Sequence, residues 1–129
     1  MKKDHFLLIA SVSGMLAVAL GAFGAHGLEK LVDARMLQRF HTGVEYQFYH
    51  SLALLLISIL YKQIKNKYVY YAGCAFLLGI VLFSGSLYLY VLTEIKAFVL
   101  VTPLGGLSFI VGWVLLAFSA KNSAYSEKR

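Results

Sequence analysis

At 129 residues the chain has the length of one domain, and 60% hydrophobic against 14% charged residues exclude an ordinary soluble composition. The net charge of +6 does not point to nucleic acid, because the 12 Lys and Arg fall in short connections and tails and not on one amphipathic face. A lone cysteine, Cys74, excludes an intrachain disulfide and reads as a small packing residue.

Four apolar runs, about 6–25, 40–61, 68–92 and 98–120, charged only at Glu45, each supply the roughly 20 residues that a hydrocarbon core of about 30 Å requires. The expected fold is all-α: a single integral membrane domain of four transmembrane helices over residues 1–129. The first run follows Lys2 and Lys3 as a secretory signal would, but it is longer than a usual signal core and three more runs follow, so it reads as a retained helix. Ala17, Gly21 and Ala25 put small side chains on one face, where another helix can approach. Gly24, His26 and Gly27 then predict a glycine C-cap. In the connection, Val32, Met36, Leu37 and Phe40 have helical spacing behind Asp33 as N-cap, which predicts a short interfacial helix about 33–40. Thr42-Gly43 predicts a bend before the second span.

In the third run Ala75 and Gly79 share a face, and Ser84 and Tyr88 share a side near its end. In the fourth, Thr102 as N-cap and Pro103 at the first helical position predict that the helix starts there. Ala97 to Val101 would then be an extended or interfacial lead-in, with Gly105-Gly106 in the opening turn. Ser108 and Gly112 continue a small face beside Trp113, and the tail from Lys121 to Arg129 is expected to fray.

Eight basic residues (Lys2, Lys3, Lys62, Lys65, Lys67, Lys121, Lys128, Arg129) fall on the side of the termini, against four (Lys30, Arg35, Arg39, Lys96) on the other. The positive-inside rule therefore puts both termini of a multi-pass cell-membrane protein in the cytoplasm.

The stretch from Thr42 to Ser51 opens the second span with a carboxylate, an imidazole, an amide and two phenols. Polar groups at membrane depth are costly unless they face the bundle interior and find partners, so they are candidates for function. Helical counting brings His50 toward the midplane, with Tyr46, Tyr49, Ser84, Ser86 and His26 in the outer half. Free amides at a helix start over Gly105 and Gly106 would attract an anion such as a lipid headgroup. His41, Glu45, Gln47 and Tyr88 are secondary candidates. Since the His41/Glu45 pair is rotated about 140° from the Tyr46/His50 pair, the second helix is polar on two sides, and is either central or faces a second subunit.

A metal set from His26, His41, Glu45 and His50 lacks a His-Glu-x-x-His pattern and places ligands on opposed faces. Ser84 or Ser86 beside His50 lacks any nucleophile motif. The residues thus point away from an enzyme, name no catalytic residue, and imply no metal or cofactor. What they support is the binding or passage of a small ligand, ion or lipid headgroup at the outer polar cluster. The alternatives are a scaffold with no ligand and a metal-dependent membrane enzyme. Membrane lipids and further copies of the chain are the expected partners, and nucleic acid is not.

Gly21-Ala22-Phe23-Gly24-Ala25-His26-Gly27-Leu28, then Tyr46-x-x-Tyr49-His50, Leu82-Phe83-Ser84-Gly85-Ser86-Leu87-Tyr88, and Thr102-Pro103-Leu104-Gly105-Gly106 with Gly112-Trp113 run in order along the chain. In these the chain resembles the small membrane proteins grouped with bacterial YwdK and YgdD and with eukaryotic transmembrane protein 256. The resemblance implies four membrane helices and an unassigned activity, and it supplies no catalytic residue. It also implies that Tyr-x-x-Tyr-His, and not Glu45, is the shared pattern. That moves the expected site to His26, Tyr46, Tyr49 and His50.

Overall fold

The structure is a computed structural model and describes residues 4–127. Four helices cross the membrane: α1 (Asp4–His26), α2 (Ala34–Ile64), α3 (Lys67–Thr93) and α4 (Ala97–Glu127). In hydrocarbon a backbone must satisfy its own amides and carbonyls, and a helix does so within one segment. One turn of 3-10 helix, Leu28–Lys30, bridges α1 to α2. Lys2, Lys3, Lys128 and Arg129, half of the eight basic residues placed on the side of the termini, lie outside the described residues.

The hairpin α1/α2 packs on the hairpin α3/α4 through α2 against α3. In the apolar stretches of these two middle helices 44% and 39% of residues are buried, against 17% in each of α1 and α4. The middle pair is thus the core, and the outer pair faces lipid along most of its length. Near the termini the core holds Phe6, Leu54, Ile57, Val69 and Phe76. At the opposite end, termed distal below, Leu28, Phe40 and Val91 form a second cluster.

Several local expectations give way to packing. The short helix expected over 33–40 is not a separate element but the opening of α2, capped by Asp33, whose Oδ1 accepts the Met36 amide at 2.8 Å. No bend follows at Thr42-Gly43. Gly43 sits in continuous helix because the Tyr88 ring lies over it, 2.9 Å from where a Cβ would stand. Pro103 lies within α4, and Ala97 to Val101 are helical. Pro103 is the seventh residue of α4, past the free amides of the first turn, so it costs one ladder bond, to the Val99 carbonyl, with less than two turns of helix before it. Gly105 and Gly106 are consequently inside the helix and do not form an amide cradle at its start. Nor does α1 close on a left-handed glycine: Gly27 has φ −110, and the left-handed caps are Lys65 (φ 45, ending α2) and Glu94 (φ 60, ending α3). Helix α4 continues through the expected tail to Glu127. Cys74 is exposed on the lipid side and is not a packing residue.

The third helix contains a feature that its composition did not suggest. Ile80–Ser84 is a π turn between two α segments, Lys67–Gly79 and Gly85–Thr93. A π turn holds more residues than an α turn, so it rotates the faces that follow. Ser84 can then meet α2, where its hydroxyl donates to the Gly43 carbonyl at 2.6 Å, while Phe83 meets α4. There α3 and α4 touch backbone to backbone, since a Cβ on Gly105 would stand 2.2 Å from the Phe83 nitrogen. Close approach of this kind, made possible by small residues, is how helices associate where no hydrophobic gradient drives them together.

Candidate functional site

His50 is buried on α2 facing α3 and α4, and its ring lies parallel to Phe109 at a centroid distance of 3.6 Å. Trp113 Nε1–H donates to His50 Nε2 at 3.1 Å. Because an indole nitrogen only donates, Nε2 must carry the lone pair. The hydrogen is therefore on Nδ1, which donates to the Tyr46 carbonyl at 2.8 Å. Both ring nitrogens are engaged, and the imidazole is the neutral Nδ1–H tautomer.

Three residues earlier on α2 and about 60° round the helix, Gln47 turns toward α1 and α3. Its Nε2 donates to the Ser13 carbonyl on α1 at 2.9 Å, and its Oε1 accepts from the Tyr88 hydroxyl on α3 at 2.6 Å. Ser51 Oγ reaches Ser13 Oγ and the Gln47 carbonyl. On the α3/α4 side Ser86 pairs with Thr102, and Ser108 donates to the Ala75 carbonyl at 2.7 Å. Among the described residues no buried side-chain nitrogen or oxygen lacks a partner.

The expected site is therefore divided. Tyr46 and His50 stay together, joined by Phe83 at 4.7 Å from Tyr46 and by Phe109 and Trp113. Ser84 and Ser86 point into helix contacts, while Gln47 and Tyr88 belong to the α1/α3 side. His26 is exposed at the distal end of α1. Tyr49 and Glu45 are exposed on another face of α2 beside Ala17 and Gly21, and His41 packs near Gly24. Gly105 is a contact with the α3 backbone, whereas Gly106 borders open space near the Phe83 ring. Among the described residues no three His, Cys, Asp or Glu side chains converge as a metal set.

What remains open is a lateral groove of about 580 Å³ between α2 and α4. Tyr46 and His50 form one wall, Phe83 the floor, and Pro103, Gly106, Ile110 and Trp113 the other wall. Of the α4 side of the groove the sequence offered Gly106 as a candidate but not Phe109, Ile110 or Trp113, although the four carry the i, i+3, i+4, i+7 signature of one helix face. A second groove of about 530 Å³ lies between α1 and α3 over Gln47, lined by Leu8, Val12, Leu16, Leu77, Val81 and Tyr88 among others.

A family described as a protein of unknown function, DUF423, matches residues 20–106. The chain belongs to this family. It is 43% identical to the UPF0382 membrane protein YwdK of Bacillus subtilis over 116 residues, 89% of this chain and 94% of that protein. To the UPF0382 inner membrane protein YgdD of Escherichia coli K12 it is 41% identical over 93% of this chain and 92% of the relative. A Haemophilus influenzae UPF0382 membrane protein is 39% identical over 94% and 97%. These relatives are named for the membrane and not for an activity. The DUF423 match takes in the Tyr46-x-x-Tyr49-His50 segment and ends at Gly106, before Phe109 and Trp113. No solved structure matches the chain.

Proposed function

We propose that the chain is a lipid-binding membrane module that takes one hydrocarbon chain into the groove over His50, with both termini in the cytoplasm and the distal end outside. The observation that carries this reading is the contrast between satisfied polar groups and an open apolar wall. His50, Gln47, Ser84 and Ser86 are engaged in bonds between and along the helices, while the surface over Tyr46, Phe83 and Ile110 is open sideways to the bilayer. A proton or solute path needs side chains free to exchange partners, and an imidazole held at both nitrogens is poorly placed for that. A flat aromatic wall at membrane depth instead suits an acyl chain.

The test is native mass spectrometry of protein released from nanodiscs, wild type beside Gly106→Leu. A Cβ at Gly106 would stand 3.8 Å from the Phe83 ring, so a leucine there enters the groove without a clash of its first carbon. A lipid mass retained by the wild type and lost in the variant, with subunit count unchanged, is expected. Equal lipid adducts in both, or none in either, would refute the reading.

A second reading, a self-associating scaffold, is favoured by Glu45. This carboxylate is exposed beside Ala17, Gly21 and Tyr49, where a charge in a span calls for a partner. If a second copy covers that face, Glu45→Gln lowers the subunit count while leaving groove lipid in place.

A further inference from the structure

We infer that the groove over His50 selects an anionic phospholipid, with Arg39 holding the phosphate and Lys96 adding charge at the mouth; this rests on the lipid reading of the same groove. Arg39 stands seven residues before Tyr46 on α2 and Tyr90 seven after Phe83 on α3, while Lys96 lies in the turn immediately before α4. Seven residues are nearly two turns, so Arg39 and Tyr90 each stand above their groove partner on the same helix face, about 10 Å toward the distal end. The contacts agree: Tyr46 and Phe83 touch at 4.7 Å, and one level up the Arg39 guanidinium lies over the Tyr90 ring at 5.2 Å.

The groove therefore has a basic, aromatic mouth over an apolar interior. Arg39 is half-buried, and among the described residues no carboxylate lies within ion-pair distance of it. The acidic group near this mouth is Glu94, an exposed helix cap four residues beyond Tyr90. A guanidinium resting on a ring keeps its edge N–H groups free, and these match phosphate oxygens two at a time.

Length also fits. From Arg39 to His50 is eleven residues of helix, about 16 Å, and one leaflet contributes about half of a 30 Å hydrocarbon core. A phospholipid with its phosphate at Arg39 would lay one acyl chain past Tyr46 and Phe83 and end near the His50–Trp113 bond. The Gln47 groove has no such mouth: seven residues outward from Leu16 and Gln47 stand Phe23 and Phe40, whose rings pack edge to face.

The experiment uses the full chain in nanodiscs made with phosphatidylglycerol or phosphatidylcholine, each doped with the matching lipid bearing a photoreactive diazirine in its acyl chain. Labelled peptides are read by mass spectrometry in the wild type, Arg39→Gln, Arg39→Lys and Lys30→Gln. Labelling of Ile110 and Trp113 is expected to favour phosphatidylglycerol. Arg39→Gln should reduce that preference roughly fivefold, the weight of one basic residue near an anionic headgroup. Arg39→Lys should keep most of it, and Lys30→Gln, on the 3-10 turn, should keep all of it. Equal groove labelling by both lipids, unchanged by Arg39→Gln, would overturn the headgroup assignment and leave the lipid groove standing. If the groove is labelled no more than the exposed face of α1, or if α4 crosslinks to a second copy there, the lipid reading falls as well.

Discussion

The two grooves flank the same helix, yet they are built differently. Gln47 and His50 are one turn apart on α2, and the spaces they line are similar, about 530 and 580 Å³. Over Gln47 the walls are aliphatic, the polar groups tie α1, α2 and α3 together, and the distal exit is closed by Phe23, Phe40 and Tyr88. Over His50 the walls are largely aromatic, one bond to Trp113 ties α2 to α4, and in the inferred arrangement the distal exit leads to Arg39 over the Tyr90 ring. A groove with an apolar exit offers a headgroup nothing, however well it holds hydrocarbon. The difference puts the inter-helix fastening over Gln47, and under the proposed reading it leaves lipid selection to the groove over His50.

The sharpest way to break this contrast is at the α3/α4 contact that supports the His50 groove. Gly105→Ala drives a methyl group into the Phe83 backbone, where nothing flexible can yield. It is expected to cost about 3 kcal/mol or more, read as a lowered midpoint in detergent unfolding followed by circular dichroism. Gly106→Ala, one residue on, meets only ordinary contact and should change stability by less than about 1 kcal/mol. If the two substitutions behave alike, the helices do not cross at Phe83.

Next come the polar ties. His50→Ala removes the ring stacked on Phe109 and leaves the Trp113 N–H without its acceptor, so a loss of about 2–4 kcal/mol is expected in the same assay, together with loss of groove labelling. Gln47→Leu keeps bulk and loses bonds to Ser13 and Tyr88. It should cost only about 1 kcal/mol, because hydrogen bonds between membrane helices are individually weak, and groove labelling should persist. Loss of labelling in Gln47→Leu would merge the two grooves into one functional unit.

The smallest effects are at the two left-handed caps. Lys65→Gly and Glu94→Gly should each raise stability by up to about 1 kcal/mol, since a side chain at positive φ is strained and glycine is not. Glu94→Gly also removes the acid near the Arg39 mouth. It should strengthen anionic-lipid labelling slightly, whereas Lys65→Gly, at the other end of the bundle, should leave it unchanged.

Hydropathy alone determined four helices, because lipid leaves a spanning backbone no other way to satisfy its amides and carbonyls. It also placed Tyr46 and His50 side by side, since that pair is separated by one helical turn whatever surrounds it. Only the tertiary structure decided which face meets which. Between helices that are apolar all round no hydrophobic stripe marks the contact, so small residues and shape choose it, and those act through partners distant in sequence. Gly105 looked like part of an anion cradle and is the floor of a helix crossing; Ser84 looked like a ligand group and holds the Gly43 carbonyl. The π turn at Ile80–Ser84 and the continuation of α4 through Pro103 belong to the same class. Both are local geometries that the chain adopts for the sake of a neighbour the sequence does not show.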